Sequence, residues 1–332
     1  MKKSNSSNTF PNMRLRRLRA TPALRDLLQE TRLSTKDLIM PVFVQEDIKK
    51  PKEISSMPDI LRFPLSKLDG ELARIVDLGI NAVILFGIPS NKDASATSAF
   101  DERGIVQRSI EIVRKQFGNK VVIITDVCLC QYTNHGHCGL IVDSKIDNDT
   151  SVNTIAKVAI SHAKAGVDIV APSAMMDGQV QAIRKGLDAN GFSDVAIMSY
   201  SAKQASPLYA PFRDAAHSSP EFGDRLTYQM PFSNANEAMR EIETDIAEGV
   251  DIVMIKPAIP YLDLIYKTRQ ATNLPICAYS ASGEYALIKA AAMKGWINEN
   301  AVMTEFLTSI KRSGADMIIT YQAKKMAALL NK

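Results

Sequence analysis

Val195-Ala-Ile-Met-Ser-Tyr-Ser-Ala-Lys203 and Ile252-Val-Met-Ile-Lys256-Pro257 are two short apolar runs, each closing near a lysine. Runs of this kind, rich in Val and Ile and not alternating with polar residues, read as strands of a parallel sheet buried on both faces. A lysine ending such a strand must have its charge desolvated or paired, or it must snorkel to solvent along its alkyl stem. For one lysine alone, snorkelling is the simpler reading. Two lysines on successive strands favour another use. Burial lowers an amine pKa, a second cation nearby lowers it further, and a neutral amine attacks carbonyls.

Working outward, strand-like and helix-like stretches alternate past residue 37. Strands are expected over Leu38–Val44, Ala82–Ile88, Val121–Leu129, Ile169–Ser173, Val195–Lys203, Ile252–Ala258, Pro275–Ser282 and Met317–Tyr321. Helical periods lie between them, over Leu65–Leu78, Ile105–Phe117, Thr150–Ala165, Gln179–Ala189, Ala235–Glu248, Tyr261–Gln270, Glu284–Lys294 and Met303–Arg312. Gly79, Gly118, Gly166, Gly191, Gly249 and Gly314 stand where helices should end. Eight such units fit an α/β fold, a (β/α)8 TIM barrel over residues 38–332, preceded by an N-terminal arm, residues 1–37. An open doubly wound sheet would want a glycine-rich turn after the first strand. Val42-Phe-Val-Gln-Glu46 has none.

In a barrel the C-terminal strand ends converge on one site. Those ends carry Asp126, Ser173, Lys203, Lys256, Tyr279 with Ser282, and Tyr321. Two segments exceed a simple connection, Cys130 to Asp149 and Gln204 to Asn234, and long loops in compact domains are usually lids or disordered. The second holds Arg213, Arg225 and Gln229, a set suited to clamping a carboxylate. Taken singly, each arginine reads better as a solvated loop charge.

The stretch Asp126-Val-Cys128-Leu-Cys130-Gln-Tyr-Thr-Asn-His135-Gly-His137-Cys138-Gly139 crowds three cysteines together. Alternation along a strand would put Asp126, Cys128 and Cys130 on one side, with Cys138 returning over a loop. Soft thiolates select zinc or an iron–sulfur cluster. Three ligands leave a tetrahedral zinc open for catalysis; His135 or His137 as a fourth would close it into a structural site. Spacing leaves both open. Cys277 reads as a core residue.

Bulk properties narrow the class. The 332 residues are 46% hydrophobic and 23% charged, ordinary for a globular protein with a large core. The net charge of +4 is partly local, with Lys2, Lys3, Arg14, Arg16, Arg17 and Arg19 near the start, and demands no nucleic-acid partner. No run approaches the roughly 18 apolar residues of a membrane span. Met1 to Met13 lacks the apolar stretch of a signal peptide, so a soluble, cytoplasmic protein without a membrane partner is expected. In a reducing compartment the cysteine cluster reads as metal or redox chemistry.

Together these residues resemble the porphobilinogen synthases, also called 5-aminolaevulinate dehydratases. The likeness runs from about Arg14 to Tyr321. It rests on the cysteine segment, on Ala171-Pro-Ser173 with Met175-Met-Asp-Gly178, and on Ser199-Tyr-Ser-Ala-Lys203. Tyr209, Pro211-Phe-Arg213, Gly223-Asp-Arg225, Val253-Met-Ile-Lys-Pro257 and Ser282-Gly-Glu-Tyr285 extend it. The resemblance implies that two molecules of 5-aminolaevulinate condense, losing two waters, to the pyrrole porphobilinogen of tetrapyrrole (haem) synthesis. It implies Schiff bases at Lys256, with the first-bound substrate, and at Lys203. Cys128, Cys130 and Cys138 would hold catalytic zinc, which favours the open site, and Asp126 beside it would relay protons. Arg213 and Arg225 would hold the second substrate's carboxylate, and Ser282 and Tyr321 the first. Gln229, Ser173, Tyr209 and Tyr279 would complete the substrate site. Glu237 matches a position where bacterial members bind an activating magnesium, and the family implies a homo-octamer assembled through the arm. Ala174, Gln179, Gln204 and Leu208 depart from the family pattern. Two rival readings remain: an aldolase-like barrel with one Schiff-base lysine and structural zinc, and a catalytically silent barrel.

Overall fold

The computed structural model describes residues 13–332. The polar start of the arm, read above as lacking a signal-like run, lies in residues 1–12, outside the described residues. The chain divides into a unit ending at Arg32 and a unit Leu33–Lys332. The division falls ahead of the expected boundary at residue 37. Ser34 and Asp37 form a capping box on the turn Thr35–Asp37, and Asp37 pairs with Lys311 at 3.0 Å. That segment therefore belongs to the larger unit. The arm unit holds a 3-10 turn, Leu15–Arg19, and a short helix, Pro22–Leu27, capped by Thr21.

Eight parallel strands form the larger unit: β1 Leu38–Gln45, β2 Ala82–Ile88, β3 Val122–Val127 and β4 Ile169–Pro172. They continue with β5 Ala196–Lys203, β6 Ile252–Lys256, β7 Ile276–Ser280 and β8 Met317–Thr320. Each pairs with the next, and β8 pairs with β1 through Leu38↔Ile318 and Ile39↔Ile319, closing a TIM barrel. Apolar strands suit this because no face of the sheet meets water; β2 is buried at every position after Ala82. The helices pack outside, each on an apolar stripe. Ile105–Phe117, for example, buries Ile105, Val106, Ile110 and Val113. The six glycines named as helix stops all take positive φ, Gly166 at 99° and Gly314 at 118°, a region costly to residues with a Cβ. Among the described residues no helix is long and apolar enough to cross a membrane.

Several elements differ from the sequence expectation. β3 ends at Val127, so Cys128 and Cys130 stand in the turn beyond it rather than on strand faces. Helices begin earlier than their apolar periods, at Asn148 behind the Asp147 cap and at Glu299 behind the Asn298 cap. Their first turns are polar and were invisible to periodicity. A hairpin of Lys52–Glu53 and Leu61–Phe63 adds to the edge of β1, with Phe43 opposite Arg62. A second hairpin joins Leu140–Val142 to Lys145–Asp147, and a C-terminal helix spans Ala323–Leu330. Within the long segment after β5 lie a 3-10 turn, Pro207–Tyr209, and a helix, Ala210–Ala215.

Candidate active site

β5 and β6 run in parallel with Lys203 directly opposite Lys256, so both side chains leave the same face side by side. Each lysine is 5% exposed, which removes the snorkelling reading. The Lys203 ammonium donates to the Ser173 carbonyl at the end of β4. The Lys256 Nζ lies 3.9 Å from the Tyr279 ring centroid and 5.0 to 5.1 Å from those of Tyr200, Tyr209 and Phe212. Burial, and next the charge of Lys203, push its pKa down to about 7; the Asp126 carboxylate pulls the other way. Asp126 itself is buried beyond the lysines at the end of β3. Burial raises its pKa, against the pull of Lys203, a hydrogen bond from Ser173 and the charge of Lys256.

Tyr200 did not emerge from the sequence, and β5 explains why. The β5–β6 register shifts by one residue between Val253, opposite Ser199, and Ile255, opposite Ala202. That bulge breaks the strict period of two. Counting back from Lys203 would send Ser201 and Ser199 inward. Instead both serines lie on the side of Asp245, on the helix Ala235–Glu248 outside the barrel, the Ser201 hydroxyl donating to the Ser199 carbonyl at 3.3 Å, and the Tyr200 ring faces both lysines.

The three thiols of Cys128, Cys130 and Cys138 lie within 4.8 Å of one another, all buried. Cys138 is held well below the usual thiol range, first by hydrogen bonds from the other two thiols and then by the charge of Arg225. Three soft donors beside a fixed cation fit a thiophilic divalent ion. Neither histidine joins them. The His137 ring meets the Tyr228 hydroxyl at 3.1 Å and the Phe222 carbonyl at 2.9 Å. His135 Nδ1 accepts the His137 backbone N–H at 3.2 Å. Among the described residues the group of converging ligand atoms holds the three thiols and no histidine nitrogen.

The segment after β5 folds back over the strand ends. Met230 N–H donates to the Lys203 carbonyl at 3.3 Å and Gln204 N–H to the Lys256 carbonyl at 3.2 Å. The Tyr209 hydroxyl donates to that same carbonyl at 3.0 Å. Arg225 is buried, donating to the Gly136 carbonyl at 2.9 Å and the Ser218 carbonyl at 2.5 Å, so it ties this lid to the cysteine loop. Arg213 stands on the helix Ala210–Ala215 within range of the Arg225 charge. Both arginines leave Nε buried without a partner, as do both amide atoms of Gln229. Unpartnered buried donors on this scale call for a ligand or water. Tyr279 and Tyr321 join hydroxyls at 2.8 Å. The Ser282 hydroxyl is engaged with the lid, accepting from Phe212 N–H at 3.0 Å and donating to the Leu208 carbonyl at 3.2 Å. Glu284, unremarked in the sequence, accepts N–H bonds from Ile259 at 2.6 Å and from Ala258 and Ala281; burial raises it to about 7. Glu237 lines the same cavity as Tyr228 and Gln229. It lies on the helix Ala235–Glu248, bonded by Asn234 at 2.8 Å.

Residues 12–329 match the profile of delta-aminolevulinic acid dehydratases. The chain belongs to this family. A delta-aminolevulinic acid dehydratase of Archaeoglobus fulgidus is 54% identical over 321 residues, 97% of this chain and 99% of that one. The same enzyme of Halalkalibacterium halodurans is 52% identical over 319 residues, 96% and 97% of the two chains. A solved delta-aminolevulinic acid dehydratase of Toxoplasma gondii ME49, in complex with the reaction product porphobilinogen, superposes with a TM-score of 0.93. It is 42% identical, over 96% of this chain and 91% of its own. This dehydratase is thus an enzyme of the hydro-lyase kind. The four positions expected to depart from the family pattern sit in distinct places. Ala174 is fully buried, and Gln179 accepts Met176 N–H at 3.4 Å. The Gln204 amide is buried without a partner. Leu208 lies against Gly283, where a Cβ would come within 2.6 Å of its carbonyl oxygen.

Proposed function

We propose that this dehydratase condenses two molecules of 5-aminolaevulinate into porphobilinogen with loss of two waters. The observation that carries this reading is the pair Lys203 and Lys256, in register and buried, beside three converging thiols. With its pKa near 7, Lys256 offers a free amine near neutrality. It attacks the ketone of the first substrate; the carbinolamine loses water to leave a Schiff base. Lys203 forms the second Schiff base with the other substrate. Asp126, close enough to Lys203 and Lys256 to couple electrostatically to both, takes and returns the protons these dehydrations move. Arg213, Arg225 and Gln229 hold the second substrate's carboxylate with the donors now unpartnered. Tyr321 and Ser282 hold the first, with Ser173, Tyr209 and Tyr279 walling the pocket. Cys128, Cys130 and Cys138 would hold zinc, which would supply Lewis-acid polarisation to the second substrate's amine or carbonyl. On resemblance alone, Glu237 is the position for an activating magnesium, and the enzyme works in the cytoplasm as a homo-octamer.

Incubation with 5-aminolaevulinate, borohydride reduction and peptide mass analysis test the reading. Adducts on both Lys203 and Lys256 are expected. An adduct on only one would favour the aldolase-like barrel, and none would leave a silent barrel.

A further inference from the structure

The hairpin on the edge of β1 has no place in the chemistry above, yet it grips the lid. Arg62, on its second strand, is 4% exposed. Its Nε donates to the Ala215 carbonyl at 2.9 Å and its Nη2 to the Asp214 carbonyl at 3.2 Å. These carbonyls end the helix Ala210–Ala215, where a cation meets the negative end of the helix dipole. Ser56, in the hairpin turn, donates to the Asp214 carboxylate at 2.5 Å. Lys92, after β2, donates to the carbonyl of His217 just beyond. The other end of the helix is held by the bond from Phe212 N–H to Ser282. The hairpin turn is braced in its own right. Tyr285 donates to the Pro58 carbonyl and Lys289 pairs with Asp59, both from the helix Ser282–Met293. Arg62 in turn is fixed to the barrel by its register opposite Phe43.

Arg213 immediately precedes the two gripped carbonyls. A shift of the Asp214–Ala215 backbone re-aims its guanidinium directly. We infer that Arg62 is a positioning residue: through the helix Ala210–Ala215 it sets Arg213 to receive the substrate carboxylate. The inference rests on the reading of Arg213 as a carboxylate ligand. Misplacement by a fraction of an ångström at such a group is felt strongly in binding and rate.

The test uses the full-length enzyme with Arg62→Lys, Arg62→Met, Arg213→Lys and the double variant Arg62→Lys/Arg213→Lys. An ammonium cannot reproduce the two-pronged bond to both carbonyls. Arg62→Lys is expected to raise KM for 5-aminolaevulinate about tenfold. Borohydride trapping of the first substrate on Lys256 should stay at the wild-type level, since that contact lies elsewhere. In the Arg213→Lys background the Arg62→Lys change should add little, because the residue it positions is already altered. Wild-type KM in Arg62→Lys and Arg62→Met overturns the inference. So does a full additional loss in the double variant, or loss of Lys256 trapping in parallel, which marks a general structural role. If Arg62→Met does not fold, the lysine variant alone decides. An unchanged KM in Arg213→Lys overturns the carboxylate reading itself, and this inference with it.

Discussion

Lys256 faces opposed influences. Four aromatic ring faces and the Asp126 carboxylate favour its charged form. Burial and the Lys203 ammonium favour the neutral one and prevail. The sign is testable. A protonated amine is no nucleophile, so Schiff-base formation at Lys256 should fall as pH drops through about 7. Replacing Lys203 with Met removes the neighbouring cation, so the Lys256 pKa rises and the acid limb moves to higher pH. Borohydride trapping at Lys256 against pH, read by peptide mass, follows it; an unmoved limb would discharge Lys203 from this role. Lys256→Met keeps a stem of similar length and loses the amine. Turnover should vanish while circular dichroism stays that of the wild type, and appreciable turnover in the folded variant would overturn the nucleophile assignment. At this scale the sequence was legible wherever one residue type has few uses. Lysines closing apolar runs and clustered cysteines announce themselves. Tyr200 did not, because a one-residue bulge in β5 changes which side chains face inward and leaves no mark in composition.

The cysteine turn and the lid are the elements that assemble the site, and Arg225 joins them. Its bonds to the Gly136 and Ser218 carbonyls span both. Arg225→Lys leaves a positive charge but cannot make both bonds with the same geometry. KM should rise more than kcat falls, and protease cleavage within residues 204–234 should quicken unless substrate is present. Unchanged kinetics together with unchanged cleavage would make Arg225 a bystander. Cys130→Ala leaves two thiols. Zinc content, by metal analysis, and activity should fall together, since two thiolates hold the ion more weakly than three; full activity in zinc-free enzyme would refute a catalytic ion. The strands and outer helices were legible because burial on both faces, or on one stripe, imposes an apolar pattern. The lid helix Ala210–Ala215 and the β1 hairpin were not. Each is short, rich in polar residues and held by contacts distant in sequence, such as those of Arg62 with Asp214 and Ala215. The ends of helices were blurred for the same reason, their first turns being set by Asp147 and Asn298 caps rather than by apolar spacing.

At the scale of the whole molecule, the barrel supplies every residue proposed for the chemistry. Strand closure from β8 to β1 needs nothing before Leu33. The arm is different. Its helix is six residues long, too short to persist on propensity alone. Leu15, Leu18, Leu27 and Leu28 all stand exposed. Apolar side chains grouped on so small a unit want a covering surface. We propose that a second copy of the chain provides it. Deleting residues 1–13 leaves all four leucines in place and should change neither activity nor assembly. Deleting residues 1–30 removes them and should shrink the assembly in sedimentation velocity. Trapping of substrate on Lys256 should survive in that smaller species, because β6 and its aromatic cage belong to the barrel. The same sedimentation coefficient for both truncations, after allowing for mass, would show that the arm is not an interface element. Loss of trapping in the longer truncation would show instead that the arm reaches the site, and would move it from assembly to catalysis.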